Sequence, residues 1–519
     1  MKAKPIVMLG LDAFDPGTAW RLARAGHLPA IAGLFRGGSR CRVRNPYGLF
    51  VGSIWISLAT GNRPERHGYH CWDEIDVDTY VRRMNALSWD KATPFWETLS
   101  RAGRRLAVID VPHTRAGKDF NGLHVSEYGC HDRHFGFNTW PPARAADIEA
   151  AFASSPVLGI NSYATKEFAS DDYIHRAGRL RTIGEERAFY LDLQRGLAAK
   201  RDLLSALIRE EQWDLFLGVF GESHAVGHQQ WHLHDAGHPR FDPASRAAVG
   251  CDPLLEVYRA IDAGVADLIA AAGPDATILV LMSHGMGAHH DGGHLLDEVL
   301  TAIDWHDRGP PPLAGPRDIA RRAIRALPIP VRAAIGRAGR VRGFAAPYAR
   351  ARQRFFLEPN NGVYGGIRIN LAGREPRGCV LPEEFDQVCR DLEGDLLELV
   401  NVDTGKPAVR NVRRCDAYHG RSATDTMPDL FVDWDRSAPI ETVRSAKTGT
   451  IHAAYRGWRT GDHRPAGLLL ARGDGFSPNK RMPGIDVEDL APSIAARMGV
   501  ALDDVDGQAV SWLSGAALQ

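Results

Sequence analysis

Residues 215–231 read LFLGVFGESHAVGHQQW. The apolar run Leu215–Phe220 is short and unbroken, as suits a strand buried on both faces of a parallel sheet. A polar segment carrying His224 and His228 follows at once. If that segment is helical, the two imidazoles leave one face a single turn apart. A buried strand running straight into chemistry-bearing residues is the pattern of an α/β sheet, where ligands gather beyond the carboxyl ends of the strands.

The same pattern recurs along the chain. PIVMLGLDA (5–13), RLAVIDVP (105–112) and TILVLMSHG (277–285) are further short apolar runs, and Asp12 and His284 stand directly after two of them. Between the runs lie helical periodicities such as ERAFYLDLQRGLAAKRDLLSALIREE (186–211). This alternation predicts a doubly wound, mostly parallel central sheet with helices on both faces. Strand-like patterns resume at 365–378, 427–434 and 466–473.

One stretch breaks the rhythm. Arg317 to Arg354 contains eleven arginines and a single acid, Asp318, with prolines at 328, 330 and 347. Residues 301–354 therefore read as an Arg-rich helical insertion within one catalytic domain spanning 1–519. The insertion is either a solvated excursion or a basic lid facing an anionic substrate or lipid.

Composition narrows the class. The chain is 44% hydrophobic and 24% charged, with 63 basic and 63 acidic residues and no net charge. That balance argues against a general nucleic-acid binder. No apolar run is long enough to span a bilayer, and the N-terminus reads as a buried strand rather than a signal peptide. Seven scattered cysteines without a CxxC pair suit reduced thiols, so a cytoplasmic location is expected.

A pair of histidines needs a third ligand to hold a metal. His463, in the Gly-flanked turn RTGDHRPAGLLL, is the candidate. Zinc accepts such nitrogen donors in a tetrahedral site, and a catalytic zinc keeps one position open. Asp12 and His284 are the remaining strand-end groups able to approach a metal or a substrate.

The order of these motifs resembles the alkaline phosphatase superfamily, in particular its type I phosphodiesterase/nucleotide pyrophosphatase branch. VMLGLDAFDP carries Asp12 where the family has its first metal-binding Asp. WISLATGNRPERHGYH resembles the helix after the nucleophile, with His67 at a position that is usually structural. GESHAVGHQQW, MSHGMG, IRINLAGREP, TGDHRPAGLLL and VEDLAPSIAARMGV follow in the family's order. The resemblance implies an alkaline phosphatase-like fold and a metal-dependent hydrolase of phosphate esters, phosphodiesters foremost, acting on a small anionic substrate. It also implies two metals clamping a phosphoryl group.

The departures concern chemistry. His224 replaces the Asp of the family's Asp-x3-His, so the first site becomes His224, His228 and His463, with zinc expected. Ser283 replaces the Asp paired with His284, which leaves Asp12 and His284 as a weak second site for Mn2+ or Mg2+ or as substrate contacts. Counting back nine residues from Thr60 puts Val51 at the nucleophile position, and valine cannot attack. Two routes remain open: Ser53, just before a helix expected to begin near Trp55, or a water on the zinc. Ser53 also suits a helix N-cap. Glu222 is either a general acid or a solvated or capping carboxylate. His113, His131 and His134 lie in loops that could line the pocket. Arg368 and Arg374 either grip an anion or support the fold by ion pairing. The alternative function is a zinc-binding member of the same fold that binds an anionic ligand or catalyses another transfer or elimination.

Overall fold

The apolar runs become the strands of one large sheet. In chain order these are β1 (Ile6–Leu11), β2 (Ser39–Arg44), β3 (Leu106–Ile109), β4 (Gly122–Ser126), β5 (Asn138–Trp140), β6 (Leu215–Phe220) and β7 (Thr277–Met282). β8 (Gly285–Ala288) follows, then β9 (Phe355–Glu358), β10 (Tyr364–Ile369), β11 (Val409–Arg414) and β12 (Leu430–Trp434). β13 (Gly461–Arg464) and β14 (Gly467–Arg472) come last among the strands that concern the site. The computed structural model describes residues 4–76, 78–85, 92–129, 135–152, 181–309, 350–360, 363–419, 426–455 and 459–515.

Across the ten-stranded main sheet the order is β2-β14-β7-β1-β6-β3-β4-β5, with two short strands, Lys480–Arg481 and Ile485–Asp486, beside β2. The strands from β7 to β4 run parallel, whereas β14 is antiparallel to both neighbours and β5 to β4. Register matters most at the centre. Leu11 lies opposite Phe220 on one side and Met282 on the other, so β1, β6 and β7 end level. Asp12, Gly221 and Ser283, the next residue on each strand, are thereby brought to one edge.

Alternate residues of β1 feed the two faces. Val7, Leu9 and Leu11 join a core built with α2 (Ile183–Glu210) and α4 (Pro253–Ala272), while Ile6 and Met8 join one built with α1 (Phe50–Thr60) and α6 (Leu490–Arg497). A third apolar cluster lies apart. There α5 (Gly293–Arg308) packs against the antiparallel sheet β9-β10-β12-β11. The strand-like stretches near 365 and 430 thus belong to this second sheet, while the one near 467 returns to the main sheet beside β7.

Two expectations need correction. α1 begins at Phe50, not near Trp55, so Val51 and Ser53 both lie inside the helix. Residues 301–308 complete α5 instead of opening an insertion. Residues 310–349, the bulk of the Arg-rich stretch, lie outside the described residues, as do His131 and His134. At the far edge of the stretch, Arg350 is buried and donates to the carbonyl oxygen of Tyr80, and Arg354 pairs with Asp304 and Asp307. These two arginines are tied inward by partners on the body of the fold. Among the described residues no helix is long and apolar enough to cross a membrane.

Candidate metal centre

α3 (Glu222–His234) starts one residue after β6 ends, as the 215–231 stretch predicts. It is an unusual helix. Residues 222–233 are all buried, although the segment holds three histidines, two glutamines and a serine. Buried polar groups need partners, and three of those here find them across the fold. Ser223 Oγ donates to the carbonyl of Asp12, Gln230 Nε2 donates to both the backbone and the carboxylate of Glu186, and His232 Nδ1 lies 3.1 Å from Thr460 Oγ1. These bonds hold the helix between α2, β1 and the segment that leads into β13.

β13 reaches α3 through glycine. A Cβ on Gly461 would lie 2.2 Å from the carbonyl oxygen of Gly227, and one on Gly227 would lie 2.8 Å from the Met286 side chain. Only glycine permits backbones this close. The approach sets His463 beside α3, and the Thr460 N–H donates to the His228 carbonyl at 2.6 Å.

His224, His228 and His463 converge, with one ring nitrogen from each lying within 4.8 Å of the others. Nε2 of His228 is 3.0 Å from Nε2 of His463. The other nitrogen of His228, Nδ1, lies 2.8 Å from the carbonyl oxygen of Gly461. A proton on Nδ1 donated to that carbonyl leaves the Nε2 lone pair facing the cluster, the usual way a protein fixes the tautomer of a metal-binding histidine. Zinc–nitrogen bonds of about 2.0–2.1 Å at tetrahedral angles place ligand nitrogens roughly 3.3 Å apart. The His228–His463 pair at 3.0 Å is near that spacing, and the His224 nitrogen lies within 4.8 Å of both. The cluster's members are 6%, 2% and 1% exposed in the order of their numbers, so water does not compete freely for them.

Asp12 and His284 meet beside this cluster. His284 Nε2 is 3.6 Å from Asp12 Oδ1, and the ring centroids of His284 and His463 are 4.5 Å apart. The Asp12 oxygen is already engaged. Trp55 Nε1 donates to it at 2.9 Å and Ser283 Oγ at 3.1 Å. Where the family resemblance implies a second carboxylate, the chain supplies a hydroxyl that donates to Asp12. Phe50 closes the side of the site, edge-on to His284 at 5.6 Å.

The remaining candidates lie elsewhere. Ser53 is fully buried, and its Oγ donates to the carbonyl of Leu49 at 2.9 Å, one turn back along α1. This is neither an N-cap bond to a backbone N–H nor a contact with the histidines. Glu222 is not solvated. It lies 3.7 Å from the ammonium of buried Lys200, which also pairs closely with Asp110. Burial pushes the Glu222 carboxyl up and the Lys200 charge pulls it back. His67 is bonded to Ser57 Oγ, with burial driving its pKa down to about 3. His113 is buried near Tyr69. Arg368 pairs with Glu375, and Arg374 with Glu375 and Asp429, as fold-supporting bridges.

Trp55, Lys200 and Asp110 were not distinguishable as site neighbours in the sequence. Trp55 reads there as one more apolar helical residue, and Lys200 as part of a polar helix face.

The sequence pattern of the type I phosphodiesterase/nucleotide pyrophosphatase family matches residues 6–459. The chain belongs to that family. Its members are phosphodiesterase- and pyrophosphatase-type hydrolases of the alkaline phosphatase superfamily. No curated protein sequence matches the chain. Similar solved structures include human ectonucleotide pyrophosphatase/phosphodiesterase 5, at 13% identity and a TM-score of 0.48, covering 97% of both chains. The murine protein of the same name is 13% identical with a TM-score of 0.49, covering 98% of both chains, and an inactive form of it in complex with AMP gives the same values.

Proposed function

We propose that this family member is a metal-dependent phosphodiesterase that works with one zinc ion, held by His224, His228 and His463. The observation that carries the reading is the convergence of these three imidazoles, with His228 oriented through Gly461. Three neutral nitrogen donors and no thiolate suit zinc. When bound, such an ion supplies Lewis acidity to a phosphoryl oxygen.

Asp12 and His284 are read as groups facing the reacting phosphate, not as a second metal site. Ser283 and Trp55 already donate to the Asp12 oxygen nearest His284, which weakens it as a ligand. Water is the proposed nucleophile, because Val51 has no nucleophilic atom and the Ser53 hydroxyl is turned back into its own helix. Its oxygen bonds to phosphorus, and the Asp12–His284 pair takes up the proton that water sheds. The bond to the ester oxygen breaks, releasing an alkoxide that leaves as the alcohol after taking a proton from solvent.

Turnover of chromogenic phosphate diesters, monoesters and a sulfate ester by metal-stripped and zinc-reloaded protein tests this reading. Zinc-dependent diester hydrolysis that disappears in His228→Ala is the expected result. Full zinc occupancy with no turnover of any ester would favour the alternative, a member of the fold that binds an anion or performs another reaction.

A further inference from the structure

β8 and β13 pair antiparallel, with Met286 opposite His463 and Gly287 opposite Asp462. Neighbouring side chains leave a strand on opposite faces. His463 therefore turns its Nε2 to the three-histidine cluster, while Asp462 stands behind it, with Oδ1 3.4 Å from His463 Nδ1 and Oδ2 turned to the other side. On that other face Asp462 meets His289 and Asp291, which follow β8.

His289 Nε2 lies 3.1 Å from Asp291 Oδ2 and 3.6 Å from Asp462 Oδ2. The three donor atoms fall within 4.8 Å of one another. Side-chain exposure is 7% for His289, 6% for Asp291 and 4% for Asp462. Each carboxylate has its other oxygen anchored to the backbone. Asp291 Oδ1 accepts the Gly293 N–H at 2.8 Å, and Asp462 Oδ1 accepts the His463 N–H at 2.8 Å. The free oxygens are thereby turned toward one imidazole. That imidazole is fixed in turn, because its backbone N–H donates to Thr460 and its ring stacks on Tyr455 at 4.0 Å. A cavity of about 60 Å³ adjoins the cluster, lined by His289, Asp291, His290 and Tyr455 among others. Tyr455 Oη and His290 Nε2 are buried and have no hydrogen-bond partner among the described residues. Such groups suit the water shell of a partly hydrated cation.

We propose that His289, Asp291 and Asp462 form a second divalent-cation site, back to back with the three-histidine cluster across β13. Two carboxylates supply the negative charge, with Arg459 Nη1 3.9 Å from the backbone-anchored Oδ1 of Asp462, and the oxygen-rich donor set favours a harder ion than three imidazoles do. Mn2+ is the ion assigned. The site ties β13 to the segment after β8, and through the Asp462–His463 backbone bond it steadies His463. It does not depend on the proposed reaction.

The competing state is a protonated His289 bridging the two carboxylates with no metal. Full-length protein, stripped with a chelator and reloaded with one equivalent of zinc, is titrated with Mn2+ while free Mn2+ is read by electron paramagnetic resonance. One Mn2+ per chain is expected in the wild type and in His228→Ala. At least tenfold weaker uptake is expected in Asp291→Asn and His289→Gln, each keeping its zinc. Retained zinc shows that these variants are folded, and if one fails to fold the other decides. No Mn2+ uptake by the wild type, or wild-type uptake by a folded variant, overturns the proposal. Because His228→Ala removes only the zinc count, failure of the three-histidine reading shows separately.

Discussion

Nε2 of His228 and Nε2 of His463 face each other across 3.0 Å, although 235 positions separate the two residues in the chain. Two imidazole nitrogens at this distance share either a proton or an ion. The carbonyl of Gly461 holds the opposite nitrogen of His228 and so makes the second option ready-formed. Replacing His228 or His463 by Ala is expected to remove the bound zinc, read by elemental analysis, and to reduce ester turnover at least a hundredfold.

Asp12→Asn should separate metal from chemistry. Asn keeps an oxygen for the Trp55 and Ser283 donors but cannot accept a proton as a carboxylate does. Zinc content is expected to stay at the wild-type level while kcat falls by at least about a hundredfold, the usual scale of a lost general base. Loss of zinc in this variant would make Asp12 a ligand.

Ser53→Ala tests the attacking group. The Ser53 hydroxyl returns to the Leu49 carbonyl inside α1, so its removal deletes one intrahelical bond worth about 1 kcal/mol. Turnover within twofold of wild type is expected. A phosphorylated Ser53 detected by mass spectrometry after rapid quenching would instead make serine the nucleophile.

Lys200→Met should destabilise the fold. It would leave Asp110 and Glu222 buried beside each other without their cation, a change that typically costs about 3–5 kcal/mol. Glu222 opens α3, so that helix loosens at its first turn. A lowered unfolding temperature with weakened zinc retention is expected, measured by calorimetry and competition with a chelator.

Acid should unfold the protein through its buried histidines. Burial holds His67 and His124 down at about 3, and His70 and His294 at about 4. All four are neutral in the fold at pH 5, whereas in the unfolded chain they take up protons below about 6.5. Stability is therefore full above pH 6.5 and is lost as the pH falls toward 4. Each such histidine contributes about 1.4 kcal/mol per pH unit to the slope. Unfolding temperatures measured from pH 8 to pH 4.5 check the sign, and His124→Phe should flatten the curve.

Sequence alone carried the local facts. Apolar runs of strand length, helical periodicity between them, and the four-residue spacing of His224 and His228 each depend on neighbours along the chain, so they were legible before any packing was known. The strand-end positions of Asp12 and His284 follow from the same periodicities. Motif order then pointed to His463. Tertiary structure decided the rest, because the same local pattern is compatible with different packings. Lys200 belongs to a helix whose polar residues suggest solvent, yet Asp110 and Glu222 close over it. Ser53 has a hydroxyl in any register, but the start of α1 at Phe50 turns that hydroxyl to Leu49. Asp462 and His463 are adjacent in the chain, and strand alternation sends them to opposite faces, where partners more than 170 positions away for Asp462, and 235 for His463, give each its surroundings. Such long-range pairings are set by sheet register and by the close approach of Gly227 and Gly461, and neither leaves a periodic trace in the sequence.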